Sequence, residues 1–466
     1  MVHWLRHETG GLLLLCAAAI ALLLLLIIKV KLEPFISLLV SGLALALAAG
    51  LPVSQIVGTP LSSKTSLLET GFGGILGHIA PIIGLGTILG AILEESGGAD
   101  VLTRRLLRVF GEKRAPLAMG LVGLIFGIPV FFDIGIFVLA PLVYITARRG
   151  GRSLVLYALP MLAGLSMTHA FLPPHPGPVA VSGLLGVSLG WLIVMGLVCG
   201  IPAFLVAGVA WGSWIGKRVE ATVPEDYTVG EEAREAEEEE DGKPEPSLAL
   251  VGLIIAVPLV LILLATFGDV WWKGSSVLPA LTFLGTPAVA LTIAVLLAFY
   301  LLGVRRGTPA RELSELATRS LRPVGMILLV VGGGAFFGAV ISATGVGKAL
   351  ATTMSDAGLP VIVLAYLISC ALRLAQGSAT VAIVTTGGIV APLLQGEHHS
   401  QAHLALIAIA ISAGSIIASH VNDGGFWIVS RYFNLSVRDT LKTWTVLETI
   451  LSLVGFAIAG TLSTFI

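Results

Sequence analysis

Residues 166–178 read Ser-Met-Thr-His-Ala-Phe-Leu-Pro-Pro-His-Pro-Gly-Pro. Four of the last six are proline, which removes backbone donors and fixes φ. The stretch is therefore expected to be non-helical, although apolar runs flank it on both sides. Lipid offers no partner for the carbonyls that such a break sets free. Broken backbone survives at membrane depth only inside protein or beside a water-filled cavity. A second interruption, residues 418–427, reads Ala-Ser-His-Val-Asn-Asp-Gly-Gly-Phe-Trp. Thr168-His169 in the first and Ser419-His420 in the second hold corresponding places. Two broken segments at matching positions of two halves mark the site of a secondary transporter.

Composition agrees with a membrane setting. Of 466 residues, 56% are hydrophobic and 12% charged, where soluble domains carry about 25%. Mean hydropathy is +0.97. A net charge of −1 gives no reason to expect nucleic acid as a partner. Cys16, Cys199 and Cys370 lie in apolar runs without ligand spacing, so no metal, disulfide or other cofactor chemistry is expected. Residues 11–28 are long enough to span and no clear small-residue cleavage site follows them, so they read as a retained helix.

Apolar spans fall at 11–28, 34–53, 78–95, 154–165, 191–212, 247–267, 288–302, 325–343, 405–418 and 446–464. Residues 118–146 are apolar but interrupted by Gly127-Ile128-Pro129 and Asp133. Residues 361–394 are interrupted by Arg373 and Gln376-Gly377-Ser378. Gly86, Gly90 and Gly97 precede the first of these segments; Gly334, Gly338 and Gly345 precede the second, each 248 residues later. The chain thus divides into repeats at 1–216 and 247–466. Residues 217–246, acidic over 231–241, read as a solvated tether without chemistry of its own.

Charge selects among topologies. If both interrupted segments turn back as re-entrant hairpins, 22 of the 27 lysines and arginines fall on one side, which is then cytoplasmic. Arg6, Lys64, Lys273 and Lys348 fall outside, and Arg373 within the membrane. The expectation is an all-α polytopic membrane protein of the cell membrane, with both termini outside and the linker inside. Its two inverted repeats have about five transmembrane helices each, and each repeat carries a re-entrant hairpin and a broken helix. Trp271 and Trp272 then meet an outer interface. Whether the chain forms a homo-oligomer is left open.

With these residues in view the chain resembles the gluconate:proton symporter family. The likeness covers nearly everything outside the linker. It rests on Leu93-Glu94-Glu95-Ser96-Gly97-Gly98-Ala99, Gly127-Ile128-Pro129-Val130-Phe131-Phe132-Asp133, Thr168 through Pro178, Gly377-Ser378-Ala379-Thr380-Val381-Ala382 and Ser419 through Trp427. The resemblance implies a non-enzyme that takes up gluconate, or a related sugar acid or hydroxy acid, together with protons. The chain departs from the family in its long acidic linker and in Asp133, where glutamate is common.

Each candidate residue has a chemical reason. Asp133, at the expected tip of the first hairpin, is read as the proton-coupling group, because an ionised carboxylate in hydrocarbon costs on the order of 3 kcal/mol. Its alternative role is to cap the turn. Arg373 is the basic residue within the membrane; its fork matches the carboxylate of a sugar acid, and its alternative is an ion pair with Asp133 or Asp423. Gly377, Ser378 and Thr380 would form the second tip, where a starting helix favours an anion. Thr168, His169, His175, Ser419, His420, Asn422 and Asp423 would line the breaks, with hydroxyls and an amide suited to a polyol. A lone membrane histidine is more often a satisfied interhelical donor, so His169 and His420, matched across the repeat, are preferred. Glu94 and Glu95 read as surface residues and Glu448 as packing polarity. A sodium-coupled carboxylate carrier and a passive channel remain alternatives. An intramembrane hydrolase is disfavoured, since neither His-Glu-x-x-His nor Gly-x-Ser-x-Gly occurs.

Overall fold

The computed structural model describes residues 2–59, 65–223, 246–272, 275–322, 324–346, 349, 353, 360–395, 398–420 and 423–466. Lys64, Lys273, Lys348, Asn422 and the acidic run of the linker lie outside them. The described residues are helical and contain no strand. Helix α1 (Thr9–Ile28) is apolar on every side. Helix α2 (Pro34–Ala48) starts on Glu33, whose carboxylate accepts from the Phe35 amide at 2.7 Å. Helix α3 (Leu67–Glu95) starts on the Ser66 hydroxyl, which accepts from the Glu69 amide. Amphipathic α4 (Gly98–Phe110) follows. Next come α5 (Ala115–Phe126) and α6 (Phe132–Gly150), then α7 (Val155–Phe171), α8 (Pro176–Leu185) and α9 (Leu189–Phe204), which runs on through Ile215.

The second half runs α10 (Leu248–Trp271), α11 (Leu278–Gly285), α12 (Pro287–Ala298), α13 (Ala310–Ser320) and α14 (Val324–Ala343). It continues with α15 (Val361–Gln376), α16 (Ala379–Val390), α17 (Gln401–Gly414), α18 (Gly424–Tyr432) and α19 (Val446–Ser463). Helices α5 to α8 begin at 115, 132, 155 and 176, and α15 to α18 at 361, 379, 401 and 424, offsets of 246, 247, 246 and 248. The expected repeat is therefore visible in these four pairs of helices. Packing follows it. Helix α3 packs on its counterpart α14, and α9 on its counterpart α19. Helix α5 packs on α7 as α15 does on α17, and α8 on α16 as α18 does on α6.

Eight helices among the described residues are long and apolar enough to cross a membrane. The ten spans expected included 34–53 and 405–418. These form shorter apolar helices, α2 and α17. Each interrupted segment is a helix, a break and a second helix, with α5 and α16 of 12 residues each. At 1.5 Å per residue such a leg reaches roughly 18 Å, too short to cross hydrocarbon alone.

The repeated glycines have physical work in both halves. Gly97 and Gly345 both take φ of +76°, the left-handed turns that follow α3 and α14. A Cβ on Gly90 would lie 2.4 Å from the Pro129 carbonyl oxygen, so that glycine admits the first hairpin's tip. A Cβ on Gly338 would lie 2.6 Å from the Gly388 carbonyl oxygen on α16. Small residues thus let helix backbones touch where lipid gives no hydrophobic drive.

One expectation needs correction. The stretch 166–178 is not non-helical throughout. Helix α7 continues through Ser166, Thr168 and His169 to Phe171, and α8 resumes at Pro176. Only 172–175 are broken. A proline constrains the residue before it and the carbonyl a turn earlier, not the whole upstream segment, and Leu172 is accordingly extended at φ −117° and ψ 136°. Pro176 opens α8, where a missing amide hydrogen does no harm. In the second repeat α17 ends at Gly414, so Ser419 and His420 do lie in broken chain. The two breaks are therefore unequal.

Packing predicts opposite outcomes for two glycine substitutions. Gly338→Ala overpacks the α14–α16 contact and should destabilise by about 1–3 kcal/mol. Gly73→Ala meets nothing within 4 Å and should gain up to about 1 kcal/mol of helix propensity. Thermal unfolding of the purified variants checks this; equal midpoints would contradict the contact.

Candidate functional site

Arg373 sits in the last turn of α15 and is 4% exposed. Its guanidinium donates to the Gly377 carbonyl and to the Asp423 carboxylate. Gly377 permits this by turning left-handed at φ +80°, which returns its own amide to the Arg373 carbonyl at 2.9 Å. Ser378 then caps α16, accepting from the Val381 amide at 3.4 Å. Thr380, half-buried, follows in the first turn.

Asp423 caps α18, accepting from the Gly425 amide at 2.9 Å. It also accepts from the Ser419 hydroxyl. Ser419 is held in turn by the Trp444 indole, which donates to its hydroxyl at 2.8 Å, and by Thr445, which donates to its carbonyl. The Trp444 ring stacks on Phe132 at 5.4 Å and 27°. One chain of contacts therefore joins the second hairpin, the second break, the last helix and the start of α6. Two helix N-termini, of α16 and α18, begin beside the guanidinium. Amide dipoles and arginine charge both favour an anion there. In this structure the protein's own Asp423 carboxylate occupies that position.

Asp133 is exposed and lies in the first turn of α6, one residue after Phe132. It interacts electrostatically with Asp423. The ion pair weighed for Arg373 is made with Asp423, and among the described residues no salt bridge joins Asp133 to it. Thr168 is fully buried, with its hydroxyl donating at 3.0 Å to the carbonyls of Gly164 and Leu165. It presses on the first hairpin's tip: a Cβ on Gly127 would fall 2.4 Å from that hydroxyl. His175 donates from Nε2 to the Gly127 carbonyl at 2.6 Å, tying the first break to the same tip. His169 packs against Phe131, Phe132 and His175, and its buried Nδ1 has no hydrogen-bond partner among the described residues. His420 has its Nδ1 at 2.9 Å from the Ala418 carbonyl. Asn422 lies outside the described residues.

The structure thus gathers Arg373, Gly377, Ser378, Ser419 and Asp423 around one ion pair. His169, His175 and Thr168 gather around the other hairpin's tip. Trp444 and Thr445 were not singled out by the sequence, since both look like ordinary helix residues until Ser419 is brought to them. Glu448, which the sequence presents as packing polarity, meets Ser166, whose hydroxyl donates to it at 3.0 Å. Among the described residues no group of three or more His, Cys, Asp or Glu side chains could hold a metal ion.

The site predicts a ranking of stabilities. Asp423→Ala leaves a buried arginine unpaired and should cost about 3–5 kcal/mol. Ser378→Ala loses one helix cap, about 1 kcal/mol. Unfolding midpoints of the purified variants measure both, and a smaller loss for Asp423→Ala would contradict the pairing.

Comparison with known proteins gives the geometry a setting. Residues 11–465 match the sequence profile described as GntP family permease. The gluconate permease of Pseudomonas aeruginosa is 40% identical over 433 residues, covering 92% of each chain. The inner membrane permease YgbN of Escherichia coli is 41% identical over 441 residues, covering 93% of this chain and 94% of the other. A low-affinity gluconate transporter of Escherichia coli is 37% identical over 438 residues, with the same coverage. Two solved structures share the fold. The YdaH transporter of Alcanivorax borkumensis has a TM-score of 0.63 at 15% identity, covering 93% of this chain and 98% of its own. MtrF of Neisseria gonorrhoeae, described among a class of antimetabolite efflux pumps, has a TM-score of 0.59 at 16% identity, covering 98% and 96%.

Proposed function

The chain belongs to the GntP family of permeases, and on that premise we propose that it takes up gluconate, or a related sugar acid or hydroxy acid, by proton symport. The observation that carries the reading is the buried Arg373 fork, already holding a carboxylate between two helix N-termini. A substrate carboxylate brings the same chemistry as Asp423 and competes for, or shares, the same donors. Ser378, Thr380, Ser419 and, on the unequal first break, His169 supply hydroxyl and imidazole partners for a polyol chain. Thr168, His420, Asn422, Asp423 and Gly377 complete the proposed binding set. Asp133, exposed at the start of α6 and in electrostatic reach of Asp423, is the proton-coupling carboxylate of this reading.

Coupling is then thermodynamic linkage. A proton on a carboxylate near Arg373 removes repulsion from the incoming anion, so each ligand favours the other. The hairpin-bearing repeats alternate access to the two sides, with the linker cytoplasmic and both termini outside. Loss of the proton to the cytoplasm weakens anion binding and releases the substrate.

Proteoliposomes test the scheme. The protein should accumulate gluconate under an inward proton gradient and not under a sodium gradient alone. Arg373→Lys keeps the charge that Asp423 needs but loses the fork, and should weaken substrate affinity roughly tenfold or more. Asp133→Asn should lower gradient-driven accumulation. Sodium-driven uptake would overturn proton coupling, and full accumulation by Asp133→Asn would remove that residue from it.

A further inference from the structure

Glu448 stands in the first turn of α19 and is 2% exposed. Its carboxylate has one hydrogen-bond donor among the described residues, the Ser166 hydroxyl at 3.0 Å on Oε2. Oε1 is buried with no partner there. The surroundings hold two further charges, Arg373 and Asp423, and both interact with it electrostatically. Of the elements packed on α19, α7 supplies Ser166 and α15 supplies Arg373 and Tyr366. Tyr366 is bonded to Ser452, one turn beyond Glu448, at 3.0 Å. The titratable residues of α9 and α17 are Cys199 and His403.

An ionised carboxylate offers about four acceptor positions, and a single serine meets one of them. An orphaned, ionised oxygen in a packed interior is expensive, whereas a protonated acid is neutral and has fewer acceptor positions to satisfy. The charge count sharpens this. Arg373 and Asp423 together are neutral. An ionised Glu448 makes the trio negative, and a substrate carboxylate would add to it. A proton on Glu448 restores neutrality and leaves the guanidinium able to serve the substrate.

We propose that Glu448 is a proton-binding group of the transport cycle, taking a proton from external water when the substrate anion arrives at Arg373 and yielding it to cytoplasmic water when the anion leaves. It acts beside Asp133, one carboxylate from each repeat. This inference rests on the proton-symport reading above and assigns it a second acid. Ser166 is a positioning residue, since it orients the carboxylate without meeting the substrate. The shared field of Arg373 and Asp423, and a single donor among the described residues for a buried carboxylate, separate Glu448 from an ordinary packing residue.

The test is gluconate accumulation in proteoliposomes with the membrane potential held at zero and a proton gradient of one pH unit. Each coupled proton is worth a factor of about ten in accumulation under that gradient. Glu448→Gln should therefore lower the steady-state ratio about tenfold relative to the unsubstituted protein. If Glu448→Gln does not elute as a single folded species, Ser166→Ala gives the reading. Removing the carboxylate's donor should displace the pH profile of uptake by about half a unit or more, the worth of one hydrogen bond. An unchanged ratio in Glu448→Gln, or an unchanged pH profile in Ser166→Ala, would overturn the assignment of Glu448. Failure of the unsubstituted protein to accumulate gluconate under the proton gradient would overturn the symport reading itself.

Discussion

A guanidinium buried in a membrane protein needs partners for its charge and its donors, and much of this structure answers that requirement. Arg373 cannot shed its charge, and burying it alone would cost several kcal/mol. Asp423 supplies the counter-charge from a break 50 residues downstream. To reach it, α15 must end in a left-handed glycine, α17 must stop short at Gly414, and α18 must begin on Asp423 itself. Ser419, Trp444 and Thr445 then hold the broken chain, and Phe132 links it to the other hairpin. Under the proposed function the same pair engages the anionic substrate, so that structure and binding draw on the same donors.

The repeat explains how such a pair can be placed by helices and the breaks between them. Each half presents a helix, break and helix beside a second broken helix, and close glycine contacts hold them in register. The halves are not used equally. In the first, the tip is fastened by His175 to the Gly127 carbonyl and pressed by Thr168. In the second, the tip carries the ion pair. Under the proposed function, a site at the junction of two related but unequal halves suits alternating access from either side of a membrane.

The architecture was legible in the sequence to a considerable depth. Paired interruptions, a glycine pattern repeated at 248 residues and the bias of positive charge led to two repeats with hairpins. The structure places Gly97 and Gly345 at matching left-handed turns. Helix extent was less legible. Prolines at 173–178 suggested a break from Ser166 onward, but proline restricts only its predecessor and one carbonyl a turn back, so α7 ran on to Phe171. Side-chain pairing was least legible. The sequence marked Arg373 as unusual and offered two partners for it; only folding decides that Asp423 is the one. Ser166 meeting Glu448, 282 residues away, has no signal in spacing or periodicity.

The central claim is that the carboxylate of the substrate and that of Asp423 answer to the same guanidinium. A structure of the protein with gluconate bound tests this most directly. The account predicts the ligand carboxylate against Arg373, with the Arg373–Asp423 pair opened or shared, and its hydroxyls toward Ser378, Thr380 and Ser419. Gluconate bound elsewhere, with the Arg373–Asp423 pair unaltered, would contradict it.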